Sequence, residues 1–343
     1  MLAMQAQDFA AACWAVGLRT RNATRSDILA ALDAGTIVRS WPMRGTLHFV
    51  SPSDLRWMLL ITTERMLTGL AGRHRQLELD APDFAAARDI VTEALTGGRS
   101  LGRAEVMALW ERNGIATGGQ RGYHLIYYLA QTGVLCWGPT HKTQQSLVLL
   151  DEWVREPRIL EHDEALAEFF LRYLAGHGPA TVKDFVWWTK GTVAGVRTAL
   201  AVLGDAVTSL EVDGVTYWLP SVLAETTALT GRPARREAAR LLPAFDEYLL
   251  GYQDRSLVLD PDYASAVVPG GNGVFVPFVI SRGRIVGTWR RRQTAERVVV
   301  EPAPFAPLTG TQREALARDA RAYGTFLGAA GSLSLEEVPT SAR

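Results

Sequence analysis

The amino-acid sequence predicts a mainly helical protein of the α+β class, in which groups of helices alternate with short β-ribbons. Amphipathic helices followed by two short apolar strands recur three times along the chain. A strand-rich segment and a last helix follow after residue 240. Since 343 residues are too many for one ordinary core, we expect several modules. These are predicted at 1–60, 61–155 and 156–220, followed by a small C-terminal β unit with a closing helix at 221–343.

The first module is expected to start with two helices. The first covers 7–16, and Thr24 with Asp27 three residues later marks the start of the second. The other two modules each have a leading helix ahead of such a pair, whereas this one does not. Either the start of the chain is set late or the leading helix has been lost, so we expect the first module to be short of core.

Two strands and a linking helix complete the first module. The strands are predicted at 36–41 and 45–50, with a turn at Pro42 between them. Ser51 followed by Pro52 is typical of a helix start, so a linking helix begins there.

The later modules follow the same pattern more completely. In the second module, helices are expected at 84–95, after Ser100 and at 123–131, with strands at 134–137 and 147–150. In the third, they are expected at 165–175, after the capping pair Thr181 and Asp184, and at 193–203, with strands at 208–212 and 215–219. In the C-terminal unit, strands are expected near 274–280, 284–289 and 297–300, and a helix at 311–326. Asp213-Gly214 between two apolar strands is a strong hairpin signal. Three helices followed by a β-ribbon form the winged-helix variant of the helix-turn-helix, which usually binds nucleic acid.

The charge of the chain is balanced overall but unevenly distributed. Lys+Arg and Asp+Glu both number 36, which excludes a histone-like polycation. The net charge is +3 over 1–150, −6 over 151–230, +4 over 231–300 and −1 over 301–343. The densest basic run lies at 282–292. Such a run is usually a solvated face, and a contact with DNA is the alternative.

Other classes of protein find little support in the sequence. Two isolated cysteines favour a reducing compartment, and six histidines show no paired metal spacing. The chain has neither a Gly-rich phosphate loop after a strand nor a Gly-x-Ser-x-Gly elbow. It also contains no apolar run of about 18 residues and no secretion signal. We therefore expect a cytoplasmic monomer without metal, cofactor or membrane contact.

Four segments, in order along the chain, resemble the winged-helix bacterial DNA glycosylase family typified by AlkZ and YcaQ. They are Met4-Gln5-Ala6-Gln7-Asp8, Met43-Arg44-Gly45-Thr46-Leu47-His48, Leu242-Pro243-Ala244-Phe245-Asp246-Glu247-Tyr248 with Asp254-Arg255, and Gly287-Thr288-Trp289-Arg290-Arg291. The resemblance covers nearly the whole chain. It implies three tandem winged helices in a C-shaped cradle for duplex DNA, excision of N7-alkylated purines and, in the AlkZ branch, repair of interstrand cross-links made by bacterial genotoxins.

The family's catalytic signature is carried here by Gln5 and Gln7. The second glutamine makes the chain similar to the AlkZ branch. An N7-alkylated guanine is already cationic and leaves as a neutral base without a general acid, so a placed water and stabilisation of the sugar suffice. We assign Gln7 to the water and Gln5 to the sugar or its phosphate, although the roles could be exchanged. The two share a face only if the backbone is extended or at a helix start.

Three further residues are predicted to contact DNA from the first two modules. Arg44 either reaches a phosphate or anchors the wing. His48 either lines the cleft or is a satisfied structural residue. Lys142, in the wing loop of the second module, is the best candidate there for a backbone contact.

The C-terminal unit supplies the remaining candidates. Asp246, Tyr248 and Arg255 are expected to support the cleft. Asp246 and Glu247 either brace it or form an ion pair with Arg255, and the ion pair is favoured. Arg290, Arg291 and Arg292 are predicted phosphate contacts, and Trp289 is expected in the core.

The resemblance and the residues together predict a monofunctional DNA glycosylase of the nucleoid. It would act on duplex DNA that is alkylated or cross-linked, as part of DNA repair and genotoxin self-resistance. It would form no covalent lysine intermediate. The alternative is a winged-helix DNA-binding protein without catalysis, such as a regulator or a lesion binder, and an interaction scaffold is a weaker third possibility.

Overall fold

The structure is a computed structural model that describes residues 1–141, 144–230, 238–271 and 273–335. The chain forms two compact units. Unit 1 contains Met1–Gln7 and Leu29–Ala224, and unit 2 contains Asp8–Ile28 and Glu225–Arg343. Helices and strands are mixed throughout, which confirms the α+β class.

The helices and strands follow one another in this order. The chain begins with β1 (Ala3–Gln5), α1 (Phe9–Leu18), α2 (Arg25–Asp33), β2 (Val38–Met43), β3 (Thr46–Val50) and α3 (Pro52–Gln76). Next come α4 (Ala81–Leu95), α5 (Arg103–Arg112), α6 (Arg121–Gln131), β4 (Leu135–His141), β5 (Gln144–Leu149) and α7 (Leu150–Trp153). Then follow α8 (His162–His177), α9 (Val182–Thr189), α10 (Val193–Leu203), β6 (Val207–Val212), β7 (Val215–Pro220) and α11 (Ser221–Thr230). The last are β8 (Arg240–Leu242), α12 (Glu247–Leu250), α13 (Ala264–Val267), β9 (Phe278–Ser281), β10 (Arg284–Gln293), β11 (Arg297–Pro304), α14 (Gly310–Leu327) and β12 (Ala330–Leu333).

The structure confirms two local signals of the sequence, a helix start and a hairpin turn. Thr181 accepts a hydrogen bond from the Asp184 N–H at 3.1 Å, and the Asp184 carboxylate accepts from the Thr181 N–H at 3.0 Å, a complete capping box for α9. Asp213 and Gly214 have φ of 51° and 74° and form the two-residue turn of the β6–β7 hairpin.

The predicted turn at Pro42 is wrong. Pro42 lies inside β2, at a point where the pairing with β3 shifts register and a proline is tolerated. The turn consists instead of Arg44 and Gly45, whose φ values are 56° and 71°. Positive φ at both central residues is the geometry of the type I′ turn, which two-residue hairpins favour. The guanidinium of Arg44 therefore projects from a tight turn.

The ribbons of the first and second predicted modules join in one five-stranded sheet, ordered β1-β3-β2-β4-β5. Arg39 on β2 pairs with Trp137 on β4, and β1 adds to the outer edge of β3. The sequence pattern did not predict β1, nor that two ribbons share a sheet. Behind the sheet lies the core that α4, α5 and α6 complete, with Trp110 fully buried.

A network of charged side chains in unit 1 connects α3 with α8. Asp54 is buried and accepts hydrogen bonds from Trp57 Nε1 at 3.1 Å and Arg172 Nη2 at 3.3 Å. Glu168 accepts from Arg158 Nη1 at 2.7 Å and Arg172 Nη1 at 3.3 Å. Burial opposes ionisation of Glu168, but the bonds and charges of the two arginines outweigh it and lower the pKa of this carboxyl.

Unit 2 contains a second five-stranded sheet, ordered β12-β11-β10-β9-β8. Trp289 on β10 is buried, as predicted, and donates from Nε1 to the Leu242 carbonyl at 2.7 Å. Helix α1 packs against α14 in the same unit, with the Trp14 ring 4.9 Å from the rings of Tyr323 and Phe326. The helix that follows the two glutamines is therefore part of the C-terminal core.

Candidate active site

The motif that carries the two glutamines begins on a strand. Gln5 is the last residue of β1, and its Cα is the register partner of His48 on β3. Ala6 is fully buried, and its carbonyl accepts two hydrogen bonds from Arg39, at 2.8 and 3.1 Å. Its N–H continues the β1–β3 ladder at 2.6 Å. The backbone at Gln5 is therefore extended, one of the two conditions under which Gln5 and Gln7 share a face.

The structure brings together three of the residues that the sequence singled out. Arg44 donates from Nη2 to Gln5 Oε1 at 3.1 Å and to His48 Nε2 at 3.0 Å. All three belong to unit 1, although they come from two distant stretches of sequence. The strand β1 supplies the glutamine, and the β2–β3 turn and β3 supply the other two.

The hydrogen bonds of His48 fix its tautomer. Nδ1 lies 2.8 Å from the Thr46 carbonyl, which can only accept, so the proton is on Nδ1. Nε2 is then an acceptor for Arg44, and the imidazole is neutral. The ring is fully buried, which corrects the prediction that His48 contacts DNA: its place in the site is to hold Arg44.

Arg44 also lies against aromatic rings. Its guanidinium carbon is 5.8 Å from the ring centre of Trp187 and 6.0 Å from that of Trp188, both on α9. Stacking and two hydrogen bonds leave a long side chain little freedom. The sequence analysis missed this contribution of α9, since no local pattern relates these tryptophans to the first module.

Gln7 has a different environment from Gln5. Its side chain is exposed, and Oε1 accepts a hydrogen bond from the Leu47 N–H at 3.3 Å. An amide oxygen has two lone pairs, so it can accept a second bond from water. Gln5 Oε1 instead accepts from a cationic donor, which weakens it as an acceptor for a further proton. The arrangement suits Gln7 to bind a water and Gln5 to orient Arg44.

The predicted cleft-support residues of unit 2 have other partners. Asp246 is buried and receives two hydrogen bonds from Arg19, at 2.8 and 2.9 Å, so the expected ion pair between Asp246 and Arg255 is wrong. Arg255 donates to the Leu249 carbonyl at 3.1 Å and lies over the ring of Phe275.

The Asp246 carboxylate also caps α12 by accepting from the Tyr248 N–H at 2.9 Å. The Tyr248 hydroxyl donates to the Gly283 carbonyl at 2.8 Å, and burial raises the pKa of this phenol. Both residues therefore stabilise unit 2 locally.

The predicted phosphate contacts of unit 2 divide between the two faces of β10. Arg290 Nε donates to Glu301 Oε2 at 2.7 Å, and Arg292 forms an ion pair with the same carboxylate. These bonds, that of Arg290 foremost, lower the pKa of Glu301. Arg291 points the other way and lies 5.7 Å from the ring centre of Tyr323. Lys142, the remaining predicted contact, lies outside the described residues.

Metal chemistry and membrane insertion find no support in the described ranges. Among those residues, no three His, Cys, Asp or Glu side chains are grouped as metal ligands. None of the described helices is long and apolar enough to cross a membrane.

Comparison with known proteins first gives the class of protein. The structure resembles the solved structure of the Streptomyces sahachiroi DNA glycosylase AlkZ with a TM-score of 0.81 and 25% identity, covering 97% of this chain and 91% of that chain. A curated relative, the interstrand DNA cross-link repair glycosylase of Streptomyces sahachiroi, is 29% identical over 342 residues, which span 94% of this chain and 88% of the relative. DNA glycosylases are hydrolases that act on N-glycosyl bonds of DNA.

The family follows from a match over nearly the whole sequence. The family model described as DNA glycosylase AlkZ-like matches residues 1–326. The chain belongs to this family, which confirms the resemblance found in the sequence. It is therefore an enzyme of DNA repair with DNA as its substrate.

Proposed function

We propose that this enzyme hydrolyses the N-glycosidic bond of N7-alkylated purines, including bulky and cross-linked adducts, in duplex DNA. The observation that carries the proposal is the pairing of Gln5 with Arg44 beside the amide of Gln7. Amide groups suit a leaving base that is already cationic, since such a base needs no general acid. The name of the Streptomyces relative, which specifies interstrand cross-link repair, supports the extension to cross-links.

Arg44 has the role of placing the damaged nucleotide. A guanidinium binds phosphate oxygens through a planar fork, and Gln5 and His48 both bind Arg44 at Nη2. We assign this guanidinium to the phosphate next to the damaged nucleotide. Holding that phosphate fixes the sugar relative to the motif, which lowers the entropic part of the barrier.

The bond-breaking step needs a water and a polar environment for the sugar. Gln7 Oε1 accepts a hydrogen bond from the attacking water, and the dipoles of both amides stabilise the positive charge that develops on the sugar. The products are the free modified base and an abasic site, and the proton that the attacking water loses goes to solvent. No amine attacks the sugar, so the enzyme is monofunctional.

The remaining features of the proposal concern the setting of the reaction. The proposed chemistry draws on Gln5, Gln7 and Arg44 of one unit of one chain, which supports action as a monomer. We expect it to act at the nucleoid in the cytoplasm, where duplex DNA lies.

The double variant Gln5→Ala with Gln7→Ala tests the proposal. With duplex DNA containing N7-methylguanine, we expect release of the base to fall by at least about a hundredfold, the scale for losing a preorganised polar group. The matched control is Gln76→Ala, another glutamine of unit 1 whose amide accepts from Arg73 at 3.0 Å. Unchanged excision by the double variant would refute the assignment. Duplex binding without release of the base by the wild-type chain would instead favour a binding protein.

A further inference from the structure

A cavity of about 270 Å³ adjoins the candidate active site within unit 1. It lies between α3, α6 and the β2–β3 turn, and Arg44 and Gly45 of that turn form part of its wall. The same Arg44 side chain donates to Gln5 Oε1 at 3.1 Å. Arg44 therefore connects the cavity with the catalytic motif. The mechanism proposed above makes no use of the cavity.

One wall of the cavity is aromatic and rigid. Tyr123 and Tyr127, one turn apart on α6, line it with ring centres 6.3 Å apart and planes inclined by 26°. Trp41 packs edge-on against both, at 6.3 and 5.7 Å. Met66 and Leu70 of α3 add apolar surface. Such a wall favours a flat, apolar ligand that stacks.

The charged groups around the cavity are cationic. Arg44, Arg65 and Lys190 line it, and the described residues that line it include no carboxylate. Cations close to an aromatic wall attract the electron-rich face of a bound ring and disfavour a cationic ligand.

His124 adds a polar position to the wall. Its ring is buried, and Nδ1 has no hydrogen-bond partner among the described residues. Burial, foremost, lowers the pKa of this histidine, so the ring is neutral. His124 therefore adds a neutral ring to the wall and no charge.

We propose that this cavity is a subsite for the aromatic substituent carried by a bulky N7 adduct. The inference rests on the proposed function, because it concerns the same substrate. A backbone phosphate would satisfy the cations, but it would leave the tyrosine wall and the methionine and leucine surface unused. The subsite would therefore select among adducts and would make no contribution to binding undamaged DNA.

The test fills the cavity from Gly69. This residue borders the cavity on α3, and a Cβ built there meets nothing within 4 Å, so Gly69→Phe fits without a clash at its first carbon. The matched control is Gly72→Phe on the same helix, where the nearest atom is Arg75 Nη2 at 3.9 Å. Tyr123→Ala removes the wall from the other side. Each protein is assayed on duplexes with N7-methylguanine or with guanine carrying a two-ring aromatic group on N7.

Wild type and Gly72→Phe are expected to release both bases. Gly69→Phe and Tyr123→Ala should release N7-methylguanine normally and the aromatic adduct about tenfold more slowly, the scale of one lost stacking contact. Equal effects on both substrates would overturn the subsite, as would no effect in either variant. A general weakening of undamaged duplex binding would point to a phosphate and would also overturn it.

Binding separates this inference from the proposed function. With 2′-fluoro duplexes that resist hydrolysis, wild type should bind the aromatic adduct about tenfold more tightly than N7-methylguanine, and Gly69→Phe should abolish the difference. This preference does not depend on excision. Excision of neither base would contradict the proposed function, while the binding preference would still decide whether the subsite exists.

Discussion

Arginine side chains have contrasting environments in the two units of this enzyme. In unit 1, Arg44 donates to two neutral acceptors, Gln5 Oε1 and His48 Nε2. In unit 2, Arg19 donates to Asp246, and Arg290 donates to Glu301. Neutral acceptors orient a guanidinium without cancelling its charge, whereas a carboxylate cancels it. A count of basic residues therefore does not measure attraction for DNA, and the environment of each arginine decides its use.

The largest effect is expected from Arg44. Arg44→Ala removes both the link to Gln5 and the proposed phosphate contact, so release of N7-methylguanine should fall about a hundredfold. Arg44→Lys keeps the charge but not the fork and should recover only part of the loss. Single-turnover excision measures both, and Arg103→Ala, an exposed arginine of unit 1, controls for loss of charge. Equal rates for Arg44→Ala and Arg103→Ala would remove Arg44 from the mechanism.

Asp246 should matter for stability instead. In Asp246→Asn the buried bidentate partner of Arg19 loses its charge, and we expect unfolding free energy to fall by about 2 kcal/mol. Denaturant unfolding measures this change. Asp260→Asn is the control. Asp260 is exposed and caps a short turn by accepting from the Asp262 N–H at 3.0 Å, and asparagine caps as well as aspartate does. If excision per folded molecule fell while stability held, Asp246 would belong to the active site after all.

The network around Glu168 should produce a smaller, pH-dependent effect. The pKa of Glu168 is lowered in the folded protein. Its contribution to the free energy of unfolding is therefore fully present above the pKa that this carboxyl has in the unfolded chain, and it is lost as the pH falls through the pKa in the folded protein. Glu168→Gln should lower the free energy of unfolding by about 1 kcal/mol at neutral pH and by progressively less in acid. Thermal unfolding from neutral to acidic pH checks this, with Glu164→Gln of the α8 capping box as control. A difference independent of pH would exclude the ion pairs as its cause.

The smallest effect concerns the arginines of β10. Glu301→Gln releases Arg290 and Arg292 from their shared carboxylate. If this face contacts phosphates, affinity for undamaged duplex should rise about threefold and its salt dependence should steepen. Glu296→Gln removes the same charge from an exposed position nearby and controls for net charge. Identical salt dependence in the two variants would place β10 outside the DNA contact.

Local signals in the sequence predicted most of the helices and hairpins. Thr24 and Asp27 start α2 because a side chain reaches a backbone N–H three residues away, at 2.8 Å for Thr24 N and Asp27 Oδ2. Asp213-Gly214 turns the β6–β7 ribbon for the same local reason. Such contacts depend on neighbours in the sequence, so the pattern alone reveals them.

Distant contacts explain what the sequence did not predict. Strand β1 has only three residues, too few for a period, and exists because β3 pairs with it. Asp246 was assigned to Arg255, nine residues further along the chain, whereas its partner Arg19 belongs to the opposite end of the chain. At the site, the resemblance indicated Gln5, Gln7 and Arg44. The contacts of Arg44 with His48 and with the tryptophans of α9 are visible only in the folded structure.

The packing of α1 against α14 has a consequence for biosynthesis. Trp14 leaves the ribosome early, whereas Tyr323 and Phe326, the rings that cover it, are made near the end of translation. Until then the apolar face of α1 lacks these partners and stays available to chaperones and to other nascent chains. Chains that terminate before α14 should therefore be recovered as aggregates, and completion of the last helix commits the N-terminal helix to the folded enzyme.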